Sequence, residues 1–267
     1  MDIFQTLFYE PLASGLILTY RIFGQNMGVA IIIFSLILRF ILLPLTRPYL
    51  ESMKKMKDYK KDLDRLKKKH GKDKQKYMKA QADFYKEKGI NPTAGCLPYI
   101  LQFVVLIAFF QVFNTTLIAG SDIVSNFNKL VYEPLKFEEG AVINTHFLYL
   151  DVSLPDKVEG IAPIALPGPM LIAAAIIQLV SAKITQPYLE TEEKIAKKTK
   201  SETDDISVAM QQSMVYTFPL ITLVIGLSFS SGLVLYWLVF SAFQAVQQYR
   251  MAGWGAMTPI IKKLKFA

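Results

Sequence analysis

Polar and apolar residues segregate along the chain into long blocks rather than alternating, and five blocks have about the length that crosses a bilayer, roughly 20 residues at 1.5 Å per residue. They cover residues 26–47, 95–117, 163–186, 212–230 and 231–250. The pattern predicts an all-α, polytopic membrane protein with five transmembrane helices. The last two blocks nearly touch at Phe229-Ser230-Ser231-Gly232, so they are expected to form a tight helical hairpin turning at Gly232. Residues 1–25 read as an amphipathic helix on the outer interface, with Phe4, Phe8, Tyr9, Tyr20 and Phe23 suited to the headgroup zone.

The polar block 48–94 has helical periodicity of its own. Met53, Met56, Leu63 and Leu66 fall at helical spacings, and His70-Gly71-Lys72-Asp73 then breaks the pattern. A second helix over 74–88 ends at Gly89, with Pro92 following. The block is therefore a helical hairpin.

Charge orients these elements. Residues 48–94 hold 15 basic and 7 acidic side chains, a difference of +8 that equals the formal charge of the whole chain. Residues 117–162 hold only three basic side chains, Lys129, Lys136 and Lys157. Positive charge collects on the cytoplasmic side, so the basic hairpin is placed inside, 118–162 becomes an outer loop, 187–211 a cytoplasmic loop and 251–267 a cytoplasmic tail. The N-terminus is outside. The hairpin's charge suits anionic lipid and ribosomal RNA, but Tyr59, Tyr77, Phe84 and Tyr85 form no stacking motif for specific nucleic-acid recognition.

Composition supports this class and narrows the chemistry. Hydrophobic residues are 52% of the 267 and charged residues 19%. The first 25 residues lack a basic n-region and carry Asp2, Glu10 and Pro11, which argues against a cleaved signal peptide. Cys96 is the only thiol, so intramolecular disulfides and cysteine metal sites are not expected. His70 and His146 are isolated, and neither a nucleotide-binding motif nor a nucleophile constellation is visible. The chain reads as no enzyme, with no catalytic residues, metal or cofactor.

Candidate function rests on polar residues inside the apolar blocks. Arg39 is the only charge in 28–45, GVAIIIFSLILRFILLPL, where burying a guanidinium costs at least about 2.5 kcal/mol. It lies eight residues before Arg47, about 12 Å along a helix, so snorkelling alone reaches only part of the way to the interface. Ser35 precedes it by one turn on the same face. In the last block Trp237, Ser241, Gln244 and Gln248 recur at four, three and four residues, and Gln102, Gln111 and Gln178 add uncharged hydrogen-bonding groups. Taken singly, each is commonly glue between helices. No Asp or Glu occurs in the five blocks, so Arg39 is expected to be hydrated or to await an outside carboxylate.

The blocks GVAIIIFSLILRFILLPLT, KGINPTAGCLPYILQ, FLYLDVSLPD and FSSGLVLYWLVFSAFQAVQQY, with the charged hairpin between the first two, closely resemble the family of YidC, mitochondrial oxidase-assembly and thylakoid Albino insertases. The resemblance covers about residues 20–250 and implies five core helices around a hydrophilic groove open to cytoplasm and lipid. It implies an insertase and chaperone for nascent or small membrane proteins in the plasma membrane, with the ribosome and Sec translocon as further partners. Carried across, the groove arginine is Arg39, its polar neighbour Ser35, the facing aromatic Trp237 and the third helix's polar position Gln178. Gln102 and Ser241 complete the candidate substrate-binding set. The large outer domain of Gram-negative members is absent and the tail after Tyr249 is short, which implies a short form with little tail to dock a ribosome.

Two other classes use similar features. An assembly factor clamping membrane subunits shares these surfaces. An anion transporter would also use an intramembrane arginine, though no inverted sequence repeat supports alternating access.

Overall fold

The computed structural model describes residues 3–70, 73–91, 97–117, 120–138, 140–160, 165–185 and 215–265. Gly71, Pro92, Cys96 and the expected loop 187–211 lie outside them. Among the described residues the chain is mostly helical. We number the helices α1 (Glu10–Ile22), α2 (Met27–Asp58), α3 (Lys60–His70), α4 (Lys74–Lys88), α5 (Leu97–Thr116), α6 (Ile123–Asn128), α7 (Pro169–Thr185), α8 (Val215–Gly226), α9 (Ser231–Ala252) and α10 (Thr258–Lys265). Four two-residue strands pair as β1 (His146–Phe147) with β2 (Leu150–Asp151) and β3 (Lys157–Val158) with β4 (Leu166–Pro167), both antiparallel.

By length and composition, one described helical segment is fit to cross a membrane, Met27–Thr46 within α2. Phe103–Thr116, Pro169–Thr185 and Val215–Gly226 are shorter apolar helices. Each carries large apolar side chains on its surface, including Phe40 and Ile41, Phe103 and Ile107, Ile172 and Ile176, and Leu220 and Val224. Water would penalise such belts, whereas lipid solvates them.

The chain divides into two units. The first comprises Met1–Ile41, Leu101–Gln178 and Phe218–Phe243. Its core includes Leu16 and Ile17 of α1, Ile31 and Phe34 of α2, Phe109 and Phe113 of α5, and Leu233 and Tyr236 of α9. The N-terminal helix is built into this core: a Cβ at Gly15 would come within 2.5 Å of the Phe34 ring, so glycine lets the two helices touch. Tyr20 is buried in the fold: its ring packs edge-on to Phe137 at 6.2 Å and its hydroxyl accepts from Asn144 N. Ile3, Phe4, Leu7, Ile22 and Phe23 remain exposed.

The segment between α5 and α7 closes one end of the unit. Asn26 caps α2 by accepting from Val29 N at 3.1 Å while its amide donates to His146 O at 2.7 Å. Met27 N donates to Asn144 O at 2.9 Å. At α9, Ser231 N and Gly232 N donate to Leu154 O and Val152 O at 2.7 and 2.9 Å. Gly232 is thus inside the first turn of α9 rather than at the bend, and the connection from α8 is made by residues 227–230. A Cβ there would sit 3.0 Å from Val152 O, so its role is close approach and not unusual dihedrals.

Asp156 ties the same segment to α7. Its buried carboxylate accepts from Leu171 N at 2.8 Å and from the Tyr149 hydroxyl at 3.3 Å, and Tyr149 in turn accepts from Met170 N at 2.8 Å. These bonds satisfy amides that the first turn of a helix leaves open. Gly168 makes room, since a Cβ there would fall 1.9 Å from Asp156 Oδ1. At Asp151, partial burial pushes the carboxyl up, but hydrogen bonds from the Ser153 hydroxyl and N–H outweigh it and hold the group below the usual carboxylate range.

The second unit comprises Leu42–Ile100, Leu179–Thr217 and Gln244–Ala267. Here α2 continues past Pro44 and Pro48, breaks at Tyr59 and gives way to α3, a break the sequence pattern does not announce. Asp73 caps α4 by accepting from Lys76 N at 3.1 Å, which with the Lys76 ammonium lowers its carboxyl pKa. Gly89 ends the helix at φ 59°, the left-handed cap that glycine takes without strain. Tyr59, the residue before α3, meets Phe84 near the end of α4, rings 5.8 Å apart, so the two basic helices pack antiparallel.

Candidate functional site around Arg39

Arg39 lies in the middle of the apolar segment of α2 and is 6% exposed. The sequence leaves this guanidinium to water or to an outside carboxylate; the structure sets aromatic rings of α9 against it. Its Cζ lies 3.5 Å from the ring centroid of Phe240 and 5.5 Å from that of Phe243, both on α9. Its Nη2 donates to Phe240 O at 3.4 Å, a long bond. The Tyr236 phenol is also close enough to interact with the charge. Aromatic faces carry negative quadrupoles, and a desolvated cation over one gains about 2 kcal/mol or more, comparable to the minimum cost of placing arginine in the bilayer core.

Phe240 leads into a wider aromatic cluster, its ring tilted against that of Tyr236 at 5.8 Å. Tyr236 is fully buried and lies parallel to Phe109 of α5, centroids 4.4 Å apart at 17°. Phe109 in turn meets Phe34 and Phe113 at 6.0 and 5.3 Å. Three helices, α2, α5 and α9, thus converge on one aromatic cluster with the cation at its margin. Phe40, next to Arg39, turns outward against Phe243 at 5.4 Å while remaining exposed.

The other candidates are placed as follows. Ser35 is fully buried one turn before Arg39, and its hydroxyl donates to Ile31 O of its own helix. Trp237 is half-buried on α9, the helix whose Phe240 and Phe243 rings are set against Arg39. Ser241 is buried four residues after Trp237 on the same face of α9. Gln178 accepts from the Thr222 hydroxyl at 2.7 Å, a bond between α7 and α8. The side chain of Gln102 lies outside the described residues. Sequence pattern did not single out Tyr236, Phe240 and Phe243, although their spacing of four and three puts them on one helix face. The available signal was that aromatic row opposite a lone intramembrane charge.

Helices with exposed aliphatic belts, one of them carrying a buried arginine far from either end, define a helical membrane protein. The chain belongs to the 60Kd inner membrane protein family, whose model matches residues 18–256. It is 29% identical over 231 residues to the membrane protein insertase YidC of Fusobacterium nucleatum, covering 86% of this chain and 88% of that one. It is 31% identical over 229 residues to membrane protein insertase YidC 1 of Streptococcus pyogenes, covering 84% of this chain and 66% of the relative. A YidC insertase of a Shewanella species is 30% identical over 233 residues, covering 87% of this chain but only 35% of the longer relative.

Proposed function

We propose that this chain is a membrane protein insertase that passes nascent or small membrane proteins into the bilayer along a hydrophilic groove. The observation that carries the reading is family membership across 18–256, with relatives named as insertases. The mechanism is drawn from Arg39. Five spans at 26–47, 95–117, 163–186, 212–230 and 231–250 set the N-terminus outside and the C-terminus in the cytoplasm. The basic hairpin of 48–94 meets a client first and presents its polar flank to the groove. Ribosome and Sec translocon deliver some clients, and the bilayer receives all of them.

Within the groove, Arg39 is the charge that receives the flank, with Ser35, Trp237, Ser241, Gln178 and Gln102 as polar or amphipathic neighbours. Its ring contacts keep the guanidinium tolerable while no client is present. An acidic flank offers charge-assisted hydrogen bonds about twice as strong as neutral ones, enough to compete with a cation–π contact of about 2 kcal/mol. The exchange lowers the barrier to carrying a carboxylate across hydrocarbon and leaves the final equilibrium unchanged, so it requires no nucleotide.

Reconstitution tests the reading. Purified protein in liposomes is expected to insert a single-span client with an acidic flank to a protease-protected state above the level of empty liposomes. Equal insertion with and without the protein contradicts it, and anion flux in that case favours the transporter.

A further inference from the structure

The turn between β1 and β2 holds a large apolar side chain in a place where both backbone and surroundings disfavour one. Leu148 has φ 55°, in the left-handed region where a Cβ crowds the backbone and glycine or asparagine is preferred. It is the first of the two residues, Leu148 and Tyr149, between the paired Phe147 and Leu150. Positive φ at that position alone is the pattern of a type II′ turn, which normally has glycine there. The Leu148 side chain is 82% exposed, so packing within the protein does not offset the strain. Tyr149 beside it is 58% exposed although its hydroxyl is tied to Met170 N.

The base of this turn is fixed to the ends of apolar helices. The Phe147 ring lies directly on the backbone of Gly28, where a Cβ would come within 2.2 Å, and His146 O accepts from the cap residue of α2. The Tyr149 bond reaches the first turn of α7, whose exposed Ile172 and Ile176 belong to its lipid-facing belt. The turn is thereby tied to the N-terminal ends of two apolar helices, which in a bilayer lie at the depth where hydrocarbon gives way to headgroups. A tyrosine with its ring in one phase and its hydroxyl bonded fits that depth.

We propose that the Leu148 tip is an anchor in the lipid interface, with the leucine side chain among the upper acyl segments of the leaflet that faces the β1–β2 loop. The occupant is lipid because the turn is tied through Tyr149 to the first turn of α7, an apolar helix with Ile172 and Ile176 exposed, and because a single protruding leucine needs a fluid partner rather than a shaped groove. The strained turn sets the direction in which the side chain projects. This inference rests on the membrane placement of the helices and is independent of whether the protein inserts clients.

The test uses the full chain in a Cys96→Ala background with Leu148→Cys carrying an environment-sensitive fluorophore, in vesicles of phosphatidylcholine and phosphatidylglycerol. Lipids bearing a nitroxide near the headgroup are expected to quench most of the emission while aqueous iodide quenches little. Quenching by iodide but not by nitroxide lipid overturns the proposal, as does protection from both, which would mean a protein occupant. Unlabelled Leu148→Gly supplies a second reading. Glycine takes this φ without strain, so its Tm in detergent is expected to equal or exceed that of the parent; a lower Tm would assign Leu148 to packing within the fold and overturn the anchor.

Discussion

Arg39 of α2 and Phe240 of α9 are joined by a guanidinium lying 3.5 Å from the ring centroid, with the Phe240 carbonyl as an added acceptor at 3.4 Å. The contact makes a buried cation part of the helix packing as well as of the candidate site. Its contribution should appear as coupling between the two positions. In a double-mutant cycle of Arg39→Met and Phe240→Leu, unfolding in detergent is expected to give a coupling energy of about 2 kcal/mol. Additive effects would mean that the ring does not hold the charge.

Gly168 and Asp156 give a prediction about the loop. Gly168→Ala forces a Cβ into the carboxylate that caps α7 and should cost about 1–3 kcal/mol as an overpacked site. Asp156→Asn keeps the shape and one acceptor and should cost about 1 kcal/mol, the usual value of a cap. Tm measurements in detergent, with protease sensitivity of the loop, check the order; a neutral Gly168→Ala would show that the approach is not tight.

Acid should loosen the same loop through Asp151. Its folded pKa lies below the ordinary value of about 3.9, so its stabilising effect is complete above that value and is lost as pH falls through the folded pKa. Ser153→Ala removes one of the hydrogen bonds that depress it, at 2.6 Å. The drop in Tm between about pH 5 and pH 3 is therefore expected to be smaller in Ser153→Ala than in the parent. Equal drops would remove Asp151 from the account.

Topology is open to direct labelling. In a Cys96→Ala background, Val142→Cys, 86% exposed in the parent, is expected to react with an impermeant maleimide on intact cells. Lys79→Cys, exposed on α4, should react only after permeabilisation. The reverse pattern contradicts the assigned orientation.

The lone arginine was legible in the sequence because it is the one charge in an 18-residue, largely apolar run. Its partners were not, since phenylalanines at 240 and 243 are ordinary in an apolar helix and only packing shows which face meets α2. Gly232 illustrates a different limit. A glycine between two apolar blocks marks a special backbone site, but sequence does not say whether the need is for dihedrals or for space, and here Val152 O supplies the reason. The break at Tyr59 has no glycine or proline to announce it. The paired strands of residues 146–167 are two residues long, too short for alternation to register, and α1 enters the core through Gly15, a contact set by Phe34 from another helix.

Arg39 carries the central mechanistic claim, and the direct measurement is insertion of one single-span client into liposomes with its translocated flank carrying Asp, Asn or Lys. With the parent protein, the Asp flank is expected to insert best. Arg39→Lys should retain much of that activity, since charge is kept while the planar set of donors is lost. Arg39→Ala should reduce insertion of the Asp flank most, and Arg39→Glu should reduce it further by repulsion. Equal defects across the three flanks in Arg39→Ala and Arg39→Glu would contradict electrostatic reception of the client by Arg39.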